Sequence, residues 1–177
     1  GIGNTTTAAA VVCALRGYDA LTVTGRGAGL SSTGLKRKRK VVQRVLDFHK
    51  PDRYDAVDIL TKVGGLDLAA MCGAYLGAAA SNTPAVVDGF ISGAAALCAL
   101  RLCPAAEQAM LSSHVSGETG ARLLQPIGAS APLYANMRLG EGSGAVMLLP
   151  LLDMALSLYH SGQSFDRLGI EAYTPQN

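Results

Sequence analysis

The sequence predicts an α/β fold, a parallel sheet with helices packed on both faces. Three observations point to it. Helical stretches alternate with short apolar runs along the chain. One of those runs, Ala85 to Asp88, is β-branched and brief, as strands buried on both faces are. The third is composition: 21 glycines and 28 alanines, with 5% aromatics and no Trp, make a core of small side chains in which helices lie close against a sheet. Strands alternating with helices imply right-handed crossovers, and ligands in such folds bind where the strands end and loops lead into helices.

Thr5 to Arg16 reads as a helix, with Asn4 or Thr5 as its N-cap. Leu21 to Thr24 is a short β-type run, ended by Gly25-Arg26-Gly27-Ala28-Gly29. Ser31 to His49 is a longer helix, capped by Ser31 or Ser32 and with Pro51 beyond its end. Tyr54 to Lys62 is a short helix stopped by Gly64-Gly65, and Leu66 to Ala80 an alanine-rich buried helix. After the strand at Ala85–Asp88 come a helix over Gly89–Leu102, a strand over Leu111–Val115 and a helix over Gly117–Leu124. A weak strand over Leu133–Arg138 precedes a long apolar helix over Gly142–Gly162 that contains Pro150. The domain reading is a core over residues 1–150, followed by a helical segment over 151–177.

Composition also excludes. With 177 residues, 49% hydrophobic and 16% charged, the chain is neither disordered nor too short for a sizeable core. A formal net charge of +2 is too balanced for a nucleic-acid binder, so any anion site must be local. Cys13, Cys72, Cys98 and Cys103 lack C-x-x-C spacing and sit in apolar runs, which favours a reducing, cytoplasmic setting over a disulfide framework. His49, His114 and His160 have no metal-ligand spacing, so no metal is expected. Leu68 to Val87 carries no charge over 20 residues, the length of a membrane span. Ser81-Asn82-Thr83-Pro84 interrupts it, and a helix, a turn and a short strand account for it without a membrane. Gly1 is not an initiator Met and the chain opens inside a glycine motif, so further sequence is expected upstream.

Three glycine clusters stand where strands should hand over to helices: Gly1-Ile2-Gly3-Asn4-Thr5-Thr6, Gly25 to Gly29, and Gly140-Glu141-Gly142-Ser143-Gly144-Ala145. Each is either a tight turn or a place where backbone N–H groups meet an anion. The third fits G-x-G-x-x-A, but the acidic residue that a dinucleotide site needs about 20 positions on is missing. Glu141, between two glycines at the mouth of an apolar helix, either complements the helix dipole or does chemistry, with Ser143 free to cap the helix. Within the basic run Lys36 to Lys40, helical spacing puts Lys38 on the apolar stripe of Leu35, Val42, Val45 and His49, while the other four bases face water. Lys38 is therefore the phosphate-ligand candidate. His49 suits the C-terminal dipole of its helix. Asp88 is either a helix N-cap, the preferred reading, or a residue of the site.

These glycine strings, together with Val63-Gly64-Gly65-Leu66-Asp67-Leu68-Ala69-Ala70-Met71, Val87-Asp88-Gly89-Phe90-Ile91-Ser92 and Leu139 to Ala145, resemble the nicotinate-nucleotide:dimethylbenzimidazole phosphoribosyltransferase family of cobalamin assembly. The resemblance covers roughly the C-terminal half of that family. It implies an incomplete Rossmann-like sheet, a smaller helical domain completed by the other half, and a cytoplasmic homodimer. It further implies transfer of phosphoribose from nicotinate mononucleotide to 5,6-dimethylbenzimidazole without a cofactor. Carried over, Glu141 matches the general base, Gly27 and Gly29 the phosphate loop, and Lys38 the phosphate lysine. Gly3, Asn4 and Thr5 match the first ligand loop, Ser116 a ligand-contacting serine, and Leu139 and Gly140 substrate-binding positions. The chain departs from the family at Ala28, where Thr is usual. Two rivals accompany this reading: an NAD(P)-dependent oxidoreductase, and a non-catalytic ligand-binding fragment.

Overall fold

The computed structural model describes residues 2–115, 131–137, 139–171 and 174–175. Its axis is α1 (Asn4–Arg16), in which every residue from Ala8 to Leu15 is buried. A helix apolar all round has to be surrounded. Around α1 pack α3 (Ser32–His49), α4 (Ala56–Val63) and α6 (Phe90–Leu102), the last also buried along most of its length from Gly93 to Ala99. Ala8, Ala9 and Ala10 on one helix and Ala94, Ala95 and Ala96 on the other leave room for the backbones to approach closely. Part of the alanine excess of the sequence lies at this contact.

The helix starts follow local chemistry. The Ser31 hydroxyl accepts the Gly34 N–H at 3.1 Å, and the Asp55 carboxylate accepts Val57 N–H at 2.9 Å and Asp58 N–H at 3.0 Å. α5 (Leu66–Ala80) keeps its predicted bounds but is not buried all round. Leu68, Cys72 and Tyr75 form a single buried stripe, and most of its alanines face outward.

The run Leu21–Thr24 is not a strand. It belongs to a one-turn helix, α2 (Ala20–Val23), because the Asp19 carboxylate accepts both the Thr22 N–H, at 2.7 Å, and the Thr22 hydroxyl, at 2.8 Å. Those bonds hold the Asp19 carboxyl below its usual range. Ala20 and Val23 are buried and Leu21 exposed, a spacing of three that suits a helix and not a strand.

Among the described residues the sheet is small. β1 (Ala85–Val87) pairs in parallel with β2 (Met110–Ser112), in the register Ala85–Met110, Val86–Leu111 and Val87–Ser112. α6 and a 3-10 segment, Pro104–Ala109, make the crossover. Of the strand expected over Leu133–Arg138, the described part contributes one parallel bridge, His114 to Leu133. The helix expected over Gly117–Leu124 lies outside the described residues. The uncharged stretch Leu68–Val87 resolves into α5, a turn at Ser81–Asn82 and β1, as the sequence predicts. The fold is α/β, helix-rich with a parallel sheet, and incomplete.

Two further helices close the chain, α7 (Ser143–His160) and the single turn α8 (Phe165–Leu168). α7 is 18 residues long and apolar enough to cross a membrane by length and composition alone. Only Gly144 and Leu148 of it are buried.

Candidate active site

The first two glycine strings, far apart in sequence, meet at the N-terminal end of α1. Gly3 sits there in the left-handed region at φ 85°, and no side chain caps the helix. The second string leaves α2 at Thr24 and turns through Gly27 (φ 56°) and Gly29 (φ 103°). A Cβ on Gly27 would lie 2.9 Å from the Thr5 hydroxyl, so only glycine lets this loop rest against α1. Gly29 and Gly3 face open space. Arg26 braces the loop from outside, donating to the Leu30 carbonyl at 2.6 Å and the Ser32 hydroxyl at 3.1 Å.

Lys38 reaches into this junction from α3. The residue is only 7% exposed, and its ammonium donates to the Thr5 hydroxyl at 2.8 Å and to the Gly25 carbonyl at 3.3 Å. Lys36, Arg37 and Lys40 are exposed, as their helical spacing predicts. Arg39 departs from expectation: it is half-buried, and its Nε has no hydrogen-bond partner among the described residues. Thr5, Gly27 and Lys38 therefore form one cluster. Beside it lie the first-turn N–H groups of α1, which a helix start leaves without intrahelical partners. Asn4 is half-buried in the same turn, and its carbonyl accepts the Thr7 hydroxyl at 3.0 Å.

Glu141 stands on a separate loop. Gly140, Glu141 and Gly142 are all left-handed, at φ 75°, 57° and 76°. For a non-glycine residue that conformation costs about 1–2 kcal/mol and is held only where the surroundings dictate it. Glu141 is exposed and its carboxylate has no partner among the described residues. It precedes the N-cap, Gly142, so it is not in the first helical turn where the dipole reading would place it. Leu139 and Gly140 are exposed beside it. Ser143 does not cap α7. Ser116 lies outside the described residues.

Asp88 corrects the sequence reading. It does not cap α6: the N-cap there is Gly89, whose N–H donates to the Ser92 hydroxyl at 3.0 Å. The Asp88 carboxylate instead accepts the Ala145 N–H at 3.0 Å, across 57 positions. Sequence reasoning also passed over Ser113, fully buried, and Tyr75. Burial pushes the Tyr75 hydroxyl up to about 12, opposed by a hydrogen bond with Ser92 and aided by the Asp88 charge. No local pattern marks either residue. A cavity of about 230 Å³ lies at the opposite end of α1, lined by Leu15, Arg16, Leu97, Arg101 and Glu107, and none of the site residues borders it.

The comparisons agree with these motifs. A family model described as phosphoribosyltransferase matches residues 1–170. A nicotinate-nucleotide--dimethylbenzimidazole phosphoribosyltransferase of Acetivibrio thermocellus is 42% identical over 177 residues, 99% of this chain and 50% of the relative. Its namesake in Ruminiclostridium cellulolyticum is likewise 42% identical, over 176 residues and 50% of its length. The crystal structure of CobT from Thermus thermophilus superposes with a TM-score of 0.89 at 37% identity, covering 98% of this chain and 52% of that one. The chain spans about half the length of the curated relatives it matches. Motifs, fold and relatives agree, and the chain belongs to the nicotinate-nucleotide--dimethylbenzimidazole phosphoribosyltransferase family.

Proposed function

We propose that this chain is one half of a cytoplasmic, homodimeric enzyme that transfers phosphoribose from nicotinate mononucleotide to 5,6-dimethylbenzimidazole, giving α-ribazole 5′-phosphate and nicotinate. One observation carries the reading: a lysine buried in the core side of α3 delivers its ammonium to the junction of Gly27, Thr5 and the uncapped start of α1. Donors gathered there suit a 5′-phosphate, with Gly3, Asn4, Thr5, Gly27, Gly29 and Lys38 around it. Leu139, Gly140 and Ser116 belong with the incoming base, and residues 151–177 with a helical domain completed by the other half.

The chemistry asks little more of the protein. The nicotinate ring leaves from a cationic pyridinium and so departs neutral, without a general acid. There is no pyrophosphate to neutralise, and no metal is called for. One ring nitrogen of dimethylbenzimidazole attacks C1′ as the C1′–pyridinium bond breaks. The other nitrogen must lose its proton, and an exposed carboxylate with no partner among the described residues is suited to take it. Glu141 is that base. Attack opposite the departing ring inverts the anomeric carbon.

Glu141→Gln in the full-length enzyme is expected to lower kcat by about 10²–10⁴-fold, the usual contribution of a general base, and to leave nicotinate mononucleotide affinity unchanged. Nicotinate release and calorimetry measure the two. Near-normal turnover would remove Glu141 from the mechanism.

A further inference from the structure

We infer that Asp88 and His114 are positioning residues that fix the start of α7 and, through it, the place of Glu141. The inference rests on the proposed role of Glu141 as the base. The Glu141 loop needs an external support. Its three left-handed residues are strained or entropically costly to hold, its carboxylate touches no described residue, and α7 beyond Leu148 is largely uncovered. Besides the buried Leu148, the described structure supplies two specific contacts on the first turn of α7.

The first is a remote cap. A helix start presents N–H groups with no intrahelical partner, and the N-cap side chain ordinarily takes the one at the third helical position. Here the N-cap is Gly142, which has no side chain, and the third position is Ala145. The Asp88 carboxylate supplies the missing acceptor at 3.0 Å. Asp88 is free to do so because Ser92 serves the start of α6. Its charge also suits a helix N-terminus.

The second is a steric stop. The His114 ring lies against Gly144 so closely that a Cβ there would run into it. The ring is itself fixed, with Nδ1 2.9 Å from the Ser113 hydroxyl oxygen. That hydroxyl has one proton, and it faces the Val87 carbonyl at 2.8 Å and the Asp88 carbonyl at 3.0 Å. With a proton on Nδ1 the ring donates to that hydroxyl, and the hydroxyl's own proton then serves one of the two carbonyls. Asp88 follows the last residue of β1, and His114 comes two residues after β2. The carboxyl edge of the sheet thus sets both contacts, and Glu141 stands three residues before the nearer of them.

The test uses Asp88→Ala and Asp88→Asn in the full-length enzyme. The alanine variant is expected to lose about 10–100-fold in kcat, the scale of a misplaced catalytic group, while nicotinate mononucleotide affinity stays within about twofold. Asparagine keeps an oxygen acceptor for the Ala145 N–H and is expected to restore most of kcat. Hydrogen exchange at the Ala145 amide gives a readout independent of catalysis: slow in the wild type, in Asp88→Asn and in Glu141→Gln, and faster in Asp88→Ala. Wild-type turnover in Asp88→Ala, an equal loss of affinity and kcat, or an asparagine variant as inactive as alanine would each overturn the inference. Failure of the Glu141 reading shows separately, as normal turnover in Glu141→Gln with the Ala145 exchange pattern intact.

Discussion

Lys38 shows how a single side chain acquires a role from its neighbours. Five bases stand in a row, and the one on the apolar stripe of α3 is buried, where Thr5 and Gly25 hold its ammonium at the glycine loop. A lysine in that position gives a phosphate one charge-assisted hydrogen bond, worth about 1.5–3 kcal/mol, or about 10–150-fold in affinity. Lys38→Ala is therefore expected to weaken nicotinate mononucleotide binding by that factor, and Lys36→Ala and Lys40→Ala to leave it within experimental error. Calorimetry on the three variants decides the matter, since equal small effects would mean that the whole run is a solvated face. Glu141 is the complementary case. The proposed phosphate ligand is fixed by direct bonds, whereas the proposed base has no partner among the described residues and is placed through the start of α7 that Asp88 and His114 hold.

At the scale of elements, the features legible in the sequence are those whose signals are local. The Ser31 cap, the Gly64-Gly65 stop and the β-branched run at Ala85 all lie within a few residues of the boundaries they set. α2 is misleading because Leu21, Thr22 and Val23 have strand-forming side chains in part, and a four-residue run is too short to show its period. Its outcome is decided by the Asp19 cap and by which two residues reach the core. The role of Asp88 is illegible for a different reason, since its partner lies 57 positions away. Gly144 turns the same lesson into a test. Glycine to alanine inside a helix ordinarily stabilises by up to about 1 kcal/mol. At Gly144 the added methyl meets the His114 ring, which Ser113 holds in place, and overpacking of that kind costs about 1–3 kcal/mol. Gly144→Ala is expected to lower Tm and kcat together, against the propensity scale. A rise in Tm with unchanged kcat would show that the ring yields freely.

The molecule as a whole has more apolar surface than its core can use. One side of it is finished: α1 and α6 are sealed by α3, α4 and α5, and they account for most of the buried side chains. The other side carries α7, where Val146, Met147, Leu149, Met154, Leu156, Leu158 and Tyr159 are all exposed, Tyr159 to 80%. A contiguous apolar face of this kind, where it meets water, is ordinarily covered by another surface. Leucines and methionines follow one another around α7 with little polar relief, so no rotation of the helix would hide them. The parallel sheet is two strands wide among the described residues, and the edges of so small a sheet ordinarily pair with further strands. The isolated chain is therefore expected to self-associate, to bind nicotinate mononucleotide weakly, and to release little nicotinate. Sedimentation at several concentrations measures the first, and addition of the half of a relative such as the Acetivibrio thermocellus enzyme that this chain does not match tests the rest. If that half covers α7 and completes the site, association falls and nicotinate release appears together. A monomer that turns over alone at the rate of a full-length relative would mean that this chain already contains the whole active site.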